Sequence, residues 1–225
     1  MMQELLSRIE IKLNESIYLK DPNSSELGKR IVSAGIDLIA ELGFEHFTIK
    51  KLGKHIASPE ASIYRYFESK HKLLLYITSW YWGWMEYQIF FALANISSAE
   101  ERLRRTIEML TSNLPELNEY AYINSDNLHT ILVTESSKSY LHKEVDDENK
   151  NGVFLAYQRI VDKTSNIILE INPNFQYPHM LISSVIEGAR HQKFFADHLP
   201  KLTDKVQDEN AVQDFYTNLV FKALK

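Results

Sequence analysis

The chain alternates stretches of helical hydrophobic spacing with short polar breaks. In residues 1–20, Leu5, Leu6, Ile9, Leu13 and Ile17 mark one helical face, and Asp21-Pro22-Asn23-Ser24-Ser25 breaks it. This first helix is expected to dock on the rest of the chain or on a partner. Ser25 is a good N-cap for a second helix, whose apolar face is Ile31, Ala34, Ile36, Leu38, Ile39 and Leu42. Gly43 is expected to end it. Thr48 caps a short helix to about Ile56, with Ile49, Leu52 and Ile56 facing inward. Ser58 as cap, Pro59 at the first helical position and Glu60 at the positive end of the dipole start another short helix, to about Tyr66. Ser69 caps a longer one from Lys70 to about Asn95. The pattern predicts further helices near 99–113, 125–137, 150–171, 178–197 and 209–224. The predicted fold is all-α: a helical extension at 1–24, a three-helix head at 25–72 and a larger helical body at 73–225.

Composition agrees with this pattern. Only 7 Gly and 6 Pro occur in 225 residues, which favours long helices over strands and turns. The absence of Cys excludes a disulfide scaffold and a Cys-based zinc site. The apolar run at 80–94 is interrupted by Glu86 and Gln88 and is too short to span a bilayer. No secretory signal pattern opens the chain, so a cytoplasmic location without membrane attachment is expected. The net charge of −5 argues against a nucleic-acid binder until its distribution is examined. Residues 25–72 hold eight basic and six acidic side chains, a net of +2, which leaves −7 on the remainder. A mildly basic head on an acidic body suits a local, salt-sensitive DNA contact.

Three short helices with a tight turn before the third form a helix-turn-helix candidate. Ile31 to Phe44, with Ala34, Leu38 and Gly43, resembles the first helix of TetR-family (tetracycline-repressor) heads. Thr48-Ile49-Lys50-Lys51-Leu52-Gly53 resembles the second. Ile63-Tyr64-Arg65-Tyr66-Phe67 followed by Ser69-Lys70-His71-Lys72-Leu73-Leu74 resembles the exit of the third and the start of the fourth. The resemblance covers about residues 27–75. It departs at Ala57, where the family often has Gly, and at Pro59-Glu60-Ala61, where small or basic residues are usual. Chemistry assigns Thr48 and Lys70 to phosphates and Glu60, Ser62 and Arg65 to base edges. The resemblance adds the Tyr66 hydroxyl beside the DNA backbone. Lys50 and Tyr64 complete the candidate DNA-binding set, with a solvated face and core packing as their respective alternatives.

All three Trp lie in the aromatic run from Tyr76 to Phe91. A helix apolar on every side is either covered completely or lines a cavity. The family resemblance makes this helix a wall of an effector pocket. Trp80, Trp84, Tyr87 and Phe91 share one face and are expected to contact a ligand, with Asn127 as a polar partner and Glu86 off the face. Ordinary core is the alternative. Ser184 and Gly188 would let helices approach closely, and Val212, Phe215, Tyr216 and Leu219 would form an apolar dimer seam. Packing within one subunit is the alternative there. A two-fold homodimer implies a pseudo-palindromic operator.

No P-loop, GxGxxG, GxSxG or HExxH pattern occurs, so the chain is not expected to be an enzyme, and no cofactor is expected. Glu187 and His191 stand at i, i+4 without a third ligand, so no metal is expected there. The acidic run Glu144, Asp146, Asp147 and Glu148 lacks a calcium-loop pattern and reads as a solvated connection. The functional expectation is a DNA-binding repressor released by a small apolar or aromatic ligand. The alternative is a TetR-fold regulator without small-molecule control, either an activator or a module gated by a protein partner.

Overall fold

The computed structural model describes residues 11–115, 117, 120–204 and 210–225. Its described residues form ten α-helices and no strand. These are α1 (Glu26–His46), α2 (Ile49–His55), α3 (Glu60–Tyr64), α4 (Lys70–Ala92), α5 (Ala99–Thr111), α6 (Ser125–Thr134), α7 (Val145–Lys150), α8 (Leu155–Ile171), α9 (Pro178–His198) and α10 (Ala211–Ala223). Among them no helix is long and apolar enough to cross a membrane. Two compact units result: Met1–Trp84 with Leu114–Leu155, and Met85–Asn113 with Ala156–Lys225.

Of the four predicted caps all but Ser58 form: Ser25 Oγ accepts from Gly28 N, Thr48 Oγ1 from Lys51 N, and Ser69 Oγ from Lys72 N. Gly43 does leave helical geometry (φ 73°), but a last turn follows before Phe47. The predicted helix at 150–171 starts only at Leu155, because Gly152 takes the left-handed conformation (φ 79°) between α7 and α8. The described part of the predicted first helix, residues 11–20, is not α-helical. It is irregular around a 3-10 turn at Glu15–Ile17, where Asn14 accepts from Ser16 N at 2.9 Å. Leu5, Leu6 and Ile9 lie outside the described residues.

In the first unit, α1 packs on α6. Asn127 Nδ2 donates to Asp37 Oδ1 at 2.7 Å. Glu135 Oε1 accepts from Phe44 N at 3.2 Å, and its other oxygen pairs with Lys138 at 2.7 Å. The carboxylate thus takes up a backbone donor freed near the Gly43 kink. α4 is buried continuously from Leu73 to Met85. Gly35 permits this, since a Cβ there would lie 2.9 Å from Leu73 Cδ2. At Gly83 a Cβ would lie 2.6 Å from Ile11 Cγ2, so the N-terminal segment seats against the helix at that glycine. Trp80 meets Tyr120 edge-on at 4.9 Å, and Trp84 lies 6.2 Å from the Tyr81 ring.

In the second unit, α5, α9 and α10 pack against one another. Gly188 allows the close approach of α9 and α10. A Cβ there would stand 2.1 Å from Tyr216 Oη. Arg102 of α5 pairs with Glu170 of α8, and Asn172 Nδ2 donates to Leu224 O at 3.1 Å.

Trp84→Ala is expected to cost about 3–5 kcal/mol, the usual range for emptying a buried Trp site. Urea denaturation checks this, and a loss below 1 kcal/mol would mean that Trp84 is not a core residue.

Candidate DNA-binding head and ligand cleft

The head is built on three buried anchors. Ile49 and Leu52 hold α2, and Ile63, fully buried, holds α3. Gly53 brings the two helices together: a Cβ there would lie 2.8 Å from Ser58 O, and Ser58 N donates to Gly53 O at 2.9 Å. The turn between them needs a left-handed residue, which Ala57 supplies at φ 50°. A residue with a Cβ carries a strain of about 1–2 kcal/mol in that conformation. Arg30 donates to Ile56 O and secures the turn. Pro59 occupies the cap of α3 itself, and no side chain caps that helix.

This packing divides the predicted DNA-binding residues into two groups. Thr48, Lys50, Glu60, Tyr64 and Arg65 are exposed, and Ser62 is half-buried. Lys51, Lys54 and His55, outside the predicted set, share the exposed surface of α2. The other group is committed to the fold. Tyr66 is 4 % exposed, and its hydroxyl lies 2.7 Å from Ser25 Oγ. The Ser25 hydrogen bond and the nearby Lys20 ammonium hold the phenol below its ordinary pKa, against the opposing effect of burial. Lys70 Nζ donates to the carbonyls of Phe44 (2.8 Å), Glu45 (3.2 Å) and Phe47 (3.2 Å) and sits 4.6 Å from the Phe44 ring centroid. Its three donors are spent on the C-terminal end of α1, a favourable place for a cation. The expectation of a free phosphate contact at Lys70 is therefore corrected to a cap that holds the head together.

The aromatic face also divides. Trp80 and Trp84 are buried core, whereas Tyr87 and Phe91 are partly exposed. Asn127 is committed to Asp37. The second unit holds a cleft of about 490 Å³ on a different face of α4. Its apolar walls include Ile89, Phe90, Leu93, Ile160 and Ile167, and Glu86, Lys163, Arg102 and Glu170 supply its charges. Glu86 accepts from Arg159 Nη2 at 2.7 Å and from Lys163 Nζ at 2.8 Å. Burial alone would raise its carboxyl pKa, but these two cations hold it below the ordinary value. The 3.6-residue spacing was compatible with this face too. A helix without a polar side offers no sequence signal for choosing between its faces.

The proposed dimer residues separate in the same way. Gly188 and Tyr216 are spent on packing within the chain, and Val212 is half-buried. Ser184, Phe215 (56 % exposed) and Leu219 (44 %) remain outward, as do Tyr177, which precedes α9, and Met180 on it. Glu187 accepts from Tyr157 Oη at 3.1 Å and His191 stacks on Phe195, so this pair has other partners.

Fold and head together define a helix-turn-helix DNA-binding regulator. Residues 31–77 match the family model described as bacterial regulatory proteins, tetR family. The fold is shared with solved structures. The fatty acid degradation regulator FadR from Bacillus halodurans is 16 % identical, with 87 % of this chain and 98 % of that one covered at a TM-score of 0.60. A tetR-family regulatory protein from Rhodococcus RHA1 is 15 % identical, covering 89 % and 97 % at 0.61. Apo AibR is 14 % identical, covering 85 % and 96 % at 0.53. No curated protein matches the sequence significantly. Residues 31–77 thus carry the sequence pattern of tetR-family regulatory proteins, and most of the chain shares the fold of these solved structures.

Two substitutions distinguish the groups in the head. Lys70→Ala should lower stability by about 1–2 kcal/mol, as expected for loss of a cation at a helix C-terminus. Arg65→Ala should leave stability unchanged and alter preference at particular base pairs by about 1–3 kcal/mol each. Chemical denaturation and binding to a panel of DNA sites measure both effects. Equal weakening on every sequence would reassign Arg65 to phosphate.

Proposed function

We infer that the chain acts in the cytoplasm as a homodimeric repressor, bound to a pseudo-palindromic DNA site and released by a small apolar or aromatic ligand. The observation that carries the DNA reading is the outward set Lys50, Glu60, Tyr64 and Arg65 on two helices joined by a tight turn. Arg65 suits a bidentate contact to guanine, and Glu60 suits the amino group of cytosine. Thr48 and Lys50 suit phosphates. The exposed Phe215 and Leu219, at i, i+4 on α10, support the dimer reading.

Ligand control is supported by the cleft. Its walls are mostly apolar, with a few charged groups, which is the usual make-up of a small-molecule site. α4 begins in the head at Lys70, and its last turns line this cleft. A ligand releases DNA only by binding one arrangement of the protein better than another. A tenfold preference, about 1.4 kcal/mol, already changes operator occupancy.

A gel shift with the chain's own upstream DNA tests the reading, followed by challenge with neutral aliphatic and aromatic compounds. Retention of DNA with every compound would favour a TetR-fold regulator without small-molecule control. Failure to bind any DNA would sink the proposal as a whole. For the dimer, Phe215→Asp combined with Leu219→Asp should give folded monomers in sedimentation, because two carboxylates would be buried in the seam without partners. An unchanged dimer would move the interface elsewhere.

A further inference from the structure

We propose that His71, His142 and Glu148 form a binding site for a divalent transition metal of the zinc type. The three residues are far apart in sequence. His71 lies in the first turn of α4, His142 in the connection before α7, and Glu148 within α7. All belong to the same compact unit, and their ligand atoms lie within 4.8 Å of one another. His142 Nε2 is 3.0 Å from Glu148 Oε2, and His71 Nε2 is 3.4 Å from Glu148 Oε1. A tetrahedral zinc with ligands at about 2.0–2.1 Å separates its donors by about 3.3 Å, so the donor spacing already fits.

The surroundings are those of a built site. The acidic run was expected to be a solvated connection. Glu144, Asp146 and Asp147 are indeed exposed, but the Glu148 side chain is only 8 % exposed. A buried carboxylate needs counter-charge. Lys72 supplies part of it at 3.3 Å from Oε1, while the two imidazoles face the same group. The rings of His71 and His142 lie edge to face, 4.3 Å between centroids. His142 Nε2 is sealed from solvent and makes no hydrogen bond. Its Nδ1 lies 3.2 Å from Glu144 Oε2 and accepts from Glu144 N at 3.3 Å, and both contacts hold the ring in this orientation. In the tautomer protonated on Nδ1, the inner nitrogen's lone pair is available to a metal. Two imidazoles and one carboxylate leave a fourth position for water or an added ligand. Bound metal would tie the first turn of α4 to α7.

Lys72 is an unfavourable charge at this site, and it makes a test. Titration calorimetry of Zn²⁺ into the full chain should reveal one tight site per chain. His142→Asn combined with Glu148→Gln should weaken that site at least tenfold, whereas Lys72→Met should tighten it. Co²⁺ added to the wild-type chain should give the visible absorption of nitrogen-ligated, low-coordinate cobalt. That readout does not depend on any variant folding. Absence of the cobalt band, or zinc affinity unchanged in the double variant, would overturn the site and leave a histidine–glutamate ion-pair cluster. None of these measurements involves DNA, so the proposal stands or falls separately from the repressor reading.

Discussion

The fold depends on a helix that has no side to show to water. Every residue of α4 from Leu73 to Met85 is buried, including three Trp and two Tyr. Nearly four turns of such a helix can exist only if other segments cover it all round. Within the first unit Ile11 seats at Gly83, α1 approaches through Gly35 at Leu73, and Tyr120 closes over Trp80. The polar groups caught inside find local partners. Thr78 Oγ1 donates to Leu74 O at 3.0 Å, so its hydroxyl is not buried unsatisfied. Beyond Met85 the continuous burial ends, with Glu86 half-buried and Tyr87 exposed.

That burial separates two kinds of polar residue in the head. Some are spent in fixing the head's geometry: Lys70 on three carbonyls, Tyr66 on Ser25, Arg30 on Ile56. Others are left without such duties on the outside of α2 and α3. A five-residue helix such as α3 has little stability of its own. Its position comes from Ile63 beneath it and from the Gly53–Ser58 contact beside it. The exposed Glu60, Tyr64 and Arg65 are therefore held in place by residues that cannot themselves reach a DNA molecule.

The elements were legible in the sequence where a cap or glycine punctuated them. Ser25, Thr48 and Gly43 marked boundaries within a few residues of those observed. The head's residue pattern was specific enough to name its family. What sequence could not give was the division of labour among like residues. A lysine bonded to carbonyls and a lysine in solvent have the same one-letter code, and only Phe44, Glu45 and Phe47 coming together at the end of α1 settles which Lys70 is. For the same reason Gly188 and Tyr216 read as an interface but pack against each other. Residues 11–20 kept helical spacing without forming an α-helix, because two buried isoleucines can be seated from an irregular segment equally well. The cluster of His71, His142 and Glu148 had no local signature, since its members are brought together only by tertiary packing.

The charges around the cleft bear on what it can accommodate. Glu86 is shared by Arg159 and Lys163, and Glu170 is matched by Arg102. Each acid already has its cation, so an anionic guest would have to compete with a protein carboxylate for Arg102 or Lys163. Removing one member of a partly buried pair leaves the other with an uncompensated charge, which is costly. A cationic guest meets the same obstacle from the opposite side. The walls formed by Ile89, Leu93, Ile160 and Ile167 need no such exchange, because apolar surface gains by covering them. A neutral, largely apolar molecule would therefore fit this cleft without breaking what holds its rim.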